Sequence, residues 1–318
     1  MGQLLAWNTI LTIEDYYYEI FPVDLASKGK GGLIPFVLLC SVVAGFGVAN
    51  ALVEGAMIGE LSNICPDLIQ PFAAGLGIAG VTTSVLRLLT KAVFQNSPDG
   101  LRKGALVFLA ISFIVELMSV VIYGCLFPKL SVVKNYRASV SNETAEESRV
   151  PHVDKLELAQ DNIDKVISLF ATYALTLSIF PGFLYENTGK HTSWYPLLLI
   201  TCFNVCDALS RYIVLINRLK MESGKWIIVC VVSRVLLVPA FYFTAKYSGQ
   251  GWMIFLTSFL GISNGYLTVC TLTGTSKRTY NASEANALGN MLVGSMLSGI
   301  FAGICLSWLW LIGSKISF

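Results

Sequence analysis

Charge is what this sequence has least of. Only 13% of its 318 residues are Asp, Glu, Lys or Arg, about half the share in an ordinary soluble domain. Hydrophobic residues make up 54%, and the mean hydropathy is +0.65. So few charges could not cover the surface of a soluble fold of this length, and a soluble protein is excluded. A net charge of +2 gives no footing for a nucleic-acid partner. Histidine is scarcer still: His152 and His191 both lie in polar stretches, and neither an HExxH pair nor a His cluster marks a metalloprotease. There is no phosphate-cradling P-loop, and no TVGYG-type ion filter. The eight cysteines stand singly without CxxC or Cys/His spacing, and they read as buried thiols acting as small hydrophobes. No enzyme activity, cofactor or metal site is expected. The amino terminus has no basic n-region and no small-residue cleavage site, so no signal peptide is expected. Met1-Gly2 fails the myristoylation pattern because Ala6 stands where Ser or Thr is needed.

Long apolar runs are present in abundance. A hydrocarbon core of about 30 Å takes about 20 apolar residues to cross as a helix, and eight runs are long enough: approximately 32–59, 69–94, 104–127, 166–185, 194–217, 226–245, 251–274 and 285–312. Strand-like alternation is absent, and lipid leaves helix as the only way to satisfy the backbone. The expected fold is an all-α polytopic membrane helix bundle of eight or nine helices. Segment 2–22, with Glu14 and Asp15 before Tyr16, Tyr17 and Tyr18, is a weaker ninth candidate ending in an interfacial belt.

One stretch is hydrophilic for long enough to divide the chain. It suggests a partial amino-terminal bundle over 1–128, a cytosolic tether over 129–165 with a short amphipathic helix near 154–164, and a five-helix bundle over 166–318. Threading span by span puts this tether, the Arg218–Lys225 turn and the Lys277–Arg278 turn on one side, with eleven Lys or Arg against about eight opposite. The positive-inside rule makes that side cytosolic. The sequons at Asn142 and Asn281 would then be unused.

A charge at bilayer depth costs about 2.5–3.5 kcal/mol on insertion scales, so each one inside a span needs a reason. In Phe203-Asn204-Val205-Cys206-Asp207-Ala208-Leu209-Ser210-Arg211, the three residues Asn204, Asp207 and Arg211 form one stripe on a helix face. Asp207 and Arg211, four apart, can pair. Two readings stand: a substrate or gating stripe offering donors and acceptors to a hydroxylated, ring-bearing solute, or a structural ion pair stapling helices. Glu54 is a candidate for proton coupling or polar lining, or else a neutral hydrogen-bonded carboxyl. Gly55 and Gly59 beside it read as helix-packing residues, as do Gly289, Gly294, Gly299 and Gly303. Arg87, near the end of its span, is expected to snorkel, and Arg234 to turn either inward or to the headgroups. Pro181 and Pro239 should break their spans.

The stretch Phe203-Asn204-x-x-Asp207-x-x-x-Arg211 resembles the signature of the equilibrative nucleoside transporters, with Ser210 where glycine is usual. Leu5-Ala6-Trp7-Asn8, Glu54-Gly55-Ala56-Met57-Ile58-Gly59, Ser178-Ile179-Phe180-Pro181-Gly182, Gly261-x-Ser263-Asn264-Gly265-Tyr266 and Ala287-Leu288-Gly289-Asn290 are similar to further stretches of its plant members. The resemblance implies a major-facilitator-like bundle, eleven helices in the family, that moves nucleosides or nucleobases by alternating access, facilitatively or coupled to protons. It implies a nucleoside partner contacted by Trp7, Asn8, Asn204, Asp207 and Arg211, with ribose contacts from Asp207 and Arg211. The membrane expected is the plasma membrane in preference to the vacuolar one. Departures are Ala6 for proline, Glu54 for glutamine and Leu76 where some relatives have glutamine. After Pro22 the sequence passes directly to what resembles the end of the third helix. The start of helix 1, helix 2 and most of helix 3 have no counterpart, which suggests a shortened chain that transports weakly, or a non-transporting interaction partner.

Overall fold

The computed structural model describes residues 5, 8–10, 12–13, 16–17, 20, 33–64, 68–135, 138, 155–186, 194–216, 218–247, 249–274 and 282–317. Among these the regular structure is helical throughout: α1 (Leu33–Ile64), α2 (Ile69–Phe94), α3 (Gly100–Cys125), α4 (Lys155–Asp161), α5 (Ile163–Ile179), α6 (Gly182–Glu186), α7 (Tyr195–Ile213), α8 (Gly224–Ser233), α9 (Leu237–Tyr247), α10 (Gln250–Thr273) and α11 (Ala282–Ser317). Among the described residues, eight spans are long and apolar enough to cross a bilayer. The protein is an integral, multi-pass α-helical membrane protein, and the spans fall where the apolar runs place them.

Local chemistry explains the breaks. The α2–α3 turn passes through Asp99 at φ 56, a left-handed position that aspartate tolerates better than most residues. The next residue, Gly100, lies against the Phe94 carbonyl, where a Cβ would collide. Helix α5 stops at Ile179, just before the cis Phe180-Pro181 bond, and α6 completes the same span. Pro239 has no N–H to give the carbonyl of Val235, four residues back. The span there tightens into a 3₁₀ turn over Arg234–Leu236 between α8 and α9. Helix α4 is the short amphipathic helix expected near 154–164, with Leu158 fully buried.

Lipid tails are as apolar as leucine, so helices in a bilayer are held by close packing and hydrogen bonds rather than by exclusion from water. Helix α7 lies between α2 and α10, and α11 lies against both α5 and α1. Glycines permit these approaches. A Cβ at Gly261 of α10 would sit 2.5 Å from the Phe203 carbonyl of α7, and one at Gly289 of α11 would sit 2.8 Å from the Gly59 nitrogen of α1. Gly55, Gly59, Gly289, Gly299 and Gly303 are packing glycines as expected. Gly294 is not, because nothing lies within 4 Å of its Cβ position. Over residues 34–53, α1 presents apolar side chains in nearly every direction, and Gly45 and Gly47 have no neighbour within 4 Å.

Of the weak segment 2–22, the described residues include buried Leu5 and Ile13, and Ile13 packs on Ala105 and Phe108 of α3. His152, His191 and both sequons, for which no function is expected, lie outside the described residues. Arg87 corrects the expectation that it would snorkel. Its side chain is fully buried, with the guanidinium 6.0 Å from the Phe108 ring, because α3 packs over that end of α2.

Candidate membrane-embedded binding site

Helix α7 starts at Tyr195-Pro196, and proline at that position is pre-set for the first turn. From there its 3.6-residue period brings Asn204, Asp207 and Arg211 onto one buried face. Arg211 Nε donates to Asp207 Oδ2 at 2.9 Å, so the four-residue spacing forms the ion pair it permits. Arg211 Nη1 donates to the Ala73 carbonyl of α2 at 2.8 Å. The carbonyl of Arg211 lies in the last turn of α7, where the helix cannot supply a partner, and Gln70 Nε2 donates to it at 3.1 Å. Asn204 Nδ2 donates to Ser84 Oγ at 2.7 Å. Thus α2 meets the polar face of α7 in three places.

The other face of Asp207 is satisfied from α10. Asn264 Nδ2 donates to Asp207 Oδ1 at 2.8 Å, and Asn264 Oδ1 accepts from Thr176 of α5 at 2.9 Å. Each carboxylate oxygen therefore has a donor, which a buried charge requires. Arg234 turns inward: Nη2 donates to Thr176 Oγ1 at 2.8 Å and Nη1 to the Thr172 carbonyl at 3.2 Å.

Thr176, Asn204, Asp207, Arg211 and Asn264 border a cavity of about 90 Å³. Its polar lining comes from Asn8, Tyr173, Thr176, Asn204, Asp207, Arg211 and Asn264. Its apolar lining includes Leu76, Leu177, Met296 and Ile300, with the Phe180 and Phe203 rings stacked at 4.2 Å between centroids. Gly77 and Gly80 bring α2 close: a Cβ at Gly77 would lie 2.8 Å from Arg211 Cδ. Small-molecule pockets generally hold roughly 300–1,000 Å³, so the cavity as it stands is smaller than a ring-bearing solute needs. The lining can do two things chemically: stack a flat ring, and exchange hydrogen bonds with hydroxyls.

Of the residues singled out from the sequence, Asn8, Asn204, Asp207 and Arg211 come together around this cavity. Trp7 lies outside the described residues. Glu54, on α1, is 2% exposed and within electrostatic reach of Arg211, but it does not line the cavity. Thr176 and Tyr173 were missed. The available signal was weak: Thr172, Thr176 and Tyr173 are polar residues within one apolar run, where threonines commonly bond their own helix backbone and tyrosines are ordinary packing residues.

A family model described as "Nucleoside transporter" matches residues 40–166 and 157–312. The chain belongs to the nucleoside transporter family. Among curated proteins of Arabidopsis thaliana it is similar to equilibrative nucleotide transporter 7, at 48% identity over 99% of this chain and 93% of the relative. It is also similar to equilibrative nucleotide transporters 3 and 5, each at 44% identity over 100% of this chain and 94% of the relative. The family is one of transporters, not enzymes. The matched stretches include every cavity residue from Leu76 to Ile300, whereas Asn8 precedes them. The alignment to transporter 7 runs over 390 positions and this chain has 318 residues, so the relative carries internal sequence with no counterpart here.

Proposed function

We propose that this protein binds nucleosides within the membrane and moves them across it by alternating access. The observation that carries the reading is the cavity. A paired carboxylate and guanidinium, Asp207 and Arg211, stand with Asn204 and Asn8 on the same void as the stacked Phe180 and Phe203 rings. The charged pair and amides suit ribose hydroxyls, and the aromatic shelf suits a base. The family model is described as nucleoside transporter and the relatives are named nucleotide transporters; both solutes carry the base and ribose that this lining suits. Radiolabelled uridine uptake into a transporter-deficient cell expressing this chain should be saturable. Absence of both uptake and binding would sink the reading.

A second reading is favoured by the extra internal sequence of the relatives and by the bare apolar surface of α1 over 34–53. Here the chain lacks part of one cavity wall, binds a nucleoside without carrying it, and partners a complete relative. Uridine binding by the purified chain together with absent uptake, and co-purification with a full-length relative, would select this reading.

Coupling to protons would use Glu54. It is a buried carboxyl within electrostatic reach of the Arg211 guanidinium and the Tyr173 phenol. Uptake should then fall as external pH rises, and Glu54→Gln should flatten that dependence. A pH-independent rate in the unmodified chain removes the coupling and leaves facilitated transport.

A further inference from the structure

Arg234 is 3% exposed, does not line the cavity, and has no carboxylate within ion-pair distance among the described residues. Its Nε makes no hydrogen bond. A buried cation without an ion pair is an expensive thing to keep inside a membrane protein. A snorkelling arginine would reach the headgroups, whereas this one is turned inward by the 3₁₀ turn ahead of Pro239.

The direction of each hydrogen bond leading away from it can be deduced. Carboxylate oxygen only accepts, so Asn264 must present its amide nitrogen to Asp207 Oδ1. Its amide oxygen then faces Thr176, and an acceptor must meet a donor there, so the Thr176 hydroxyl gives its proton to Asn264. The Thr176 oxygen is left to accept, and Arg234 Nη2, which can only donate, supplies that bond. The result is a one-way chain from Arg234 through Thr176 and Asn264 to Asp207. Arg211 meets the same carboxylate from the opposite side. Thr176 has an alternative acceptor in the Thr172 carbonyl at 2.8 Å. Arg234 Nη1 also donates to that carbonyl, which competes for it and favours the Asn264 direction.

All four members of this chain lie within residues 172–264, on α5, the 3₁₀ turn, α7 and α10. The bonds of Arg211 to Ala73 and Gln70 and of Asn204 to Ser84 run instead to α2. Rocking of α2 against the other helices would break the latter bonds and leave the former intact.

The geometry points to Arg234 as a positioning residue of the nucleoside site: acting through Thr176 and Asn264, it holds the Asp207 carboxylate aimed at the cavity while α2 moves. This inference rests on the nucleoside reading above. It extends that reading to a side chain that never touches the solute.

The test is a double-mutant cycle on the purified full chain, read as tritiated uridine binding by scintillation proximity. Arg234→Gln and Thr176→Val should each weaken binding about tenfold, the scale of one hydrogen bond to a charged network. Thr176→Ser keeps the hydroxyl and should lose less affinity than Thr176→Val; Arg234→Lys should recover part of the loss. The double variant Arg234→Gln/Thr176→Val should be no weaker than either single, because the chain of bonds is already cut. Thr176→Val is nearly isosteric and reports even if Arg234→Gln folds poorly. Full additivity of the two losses, or Arg234→Gln binding like the unmodified chain, would overturn the positioning role alone. An unmodified chain that binds no uridine would overturn the nucleoside reading and this inference with it.

Discussion

Replacing Asp207 by alanine should abolish uridine binding and, in the same step, destabilise the chain by about 3–5 kcal/mol, because it leaves the Arg211 charge buried and unpaired. Arg211 is 4% exposed and would keep the neutral Ala73 carbonyl as an acceptor but no counter-charge on its own helix. Asn264 loses its acceptor at the same time. Arg211→Ala should be costly for a related reason: Asp207 keeps Asn264 but loses its counter-charge, and a void opens beside Gly77. The double replacement Asp207→Ala/Arg211→Ala removes both charges and should recover much of the stability, since a buried pair contributes little net folding energy. It should not recover binding, expected to stay down by about a hundredfold or more, equivalent to about 2.8 kcal/mol. Thermal unfolding in detergent and uridine binding on the same samples separate the two effects. A double variant that is stable and binds uridine normally would make the pair a structural staple and nothing else.

Gly265→Val should be nearly as damaging, although the residue has no side chain to lose. A Cβ at Gly265 would run into the Asp207 carbonyl oxygen and the Ser210 hydroxyl, so any side chain forces α10 away from α7. The neighbouring Asn264 holds Asp207 at 2.8 Å, and a shift of even about 1 Å breaks such a bond. Overpacking of this kind costs about 1–3 kcal/mol, and the uridine affinity should fall by at least about tenfold. Gly251→Ala on the same helix is the control: nothing lies within 4 Å of its Cβ position, and its effect should stay within about 0.5 kcal/mol. Equal behaviour of the two variants would show that α10 and α7 are not held at this separation.

Most of the architecture is legible in the apolar runs, because hydrocarbon thickness and backbone satisfaction leave little choice at those lengths. The stripe of Asn204, Asp207 and Arg211 is legible for an equally local reason, since helix periodicity places them on one face whatever surrounds them. The partners are another matter. Asn264 is 57 residues from Asp207 in sequence, and Thr176 is 88 residues from Asn264; no local period connects them. Arg87 reads as a snorkelling residue only while its helix is considered alone, and packing of α3 against α2 buries it. Gly294 looks equivalent to Gly289, Gly299 and Gly303 along the chain, yet it faces open space.

The amino-acid sequence by itself determined that this chain is a multi-pass helical membrane protein with an ion pair buried in one span. Charge scarcity, run length and the four-residue spacing are properties of short stretches. Only the tertiary structure decided that Asp207 is held from both sides, that Phe180 and Phe203 form one shelf, and that Arg234 turns inward. Those depend on which helix faces are pressed together. Interhelical packing is set by sterics summed over distant residues, of which no single stretch carries a sign.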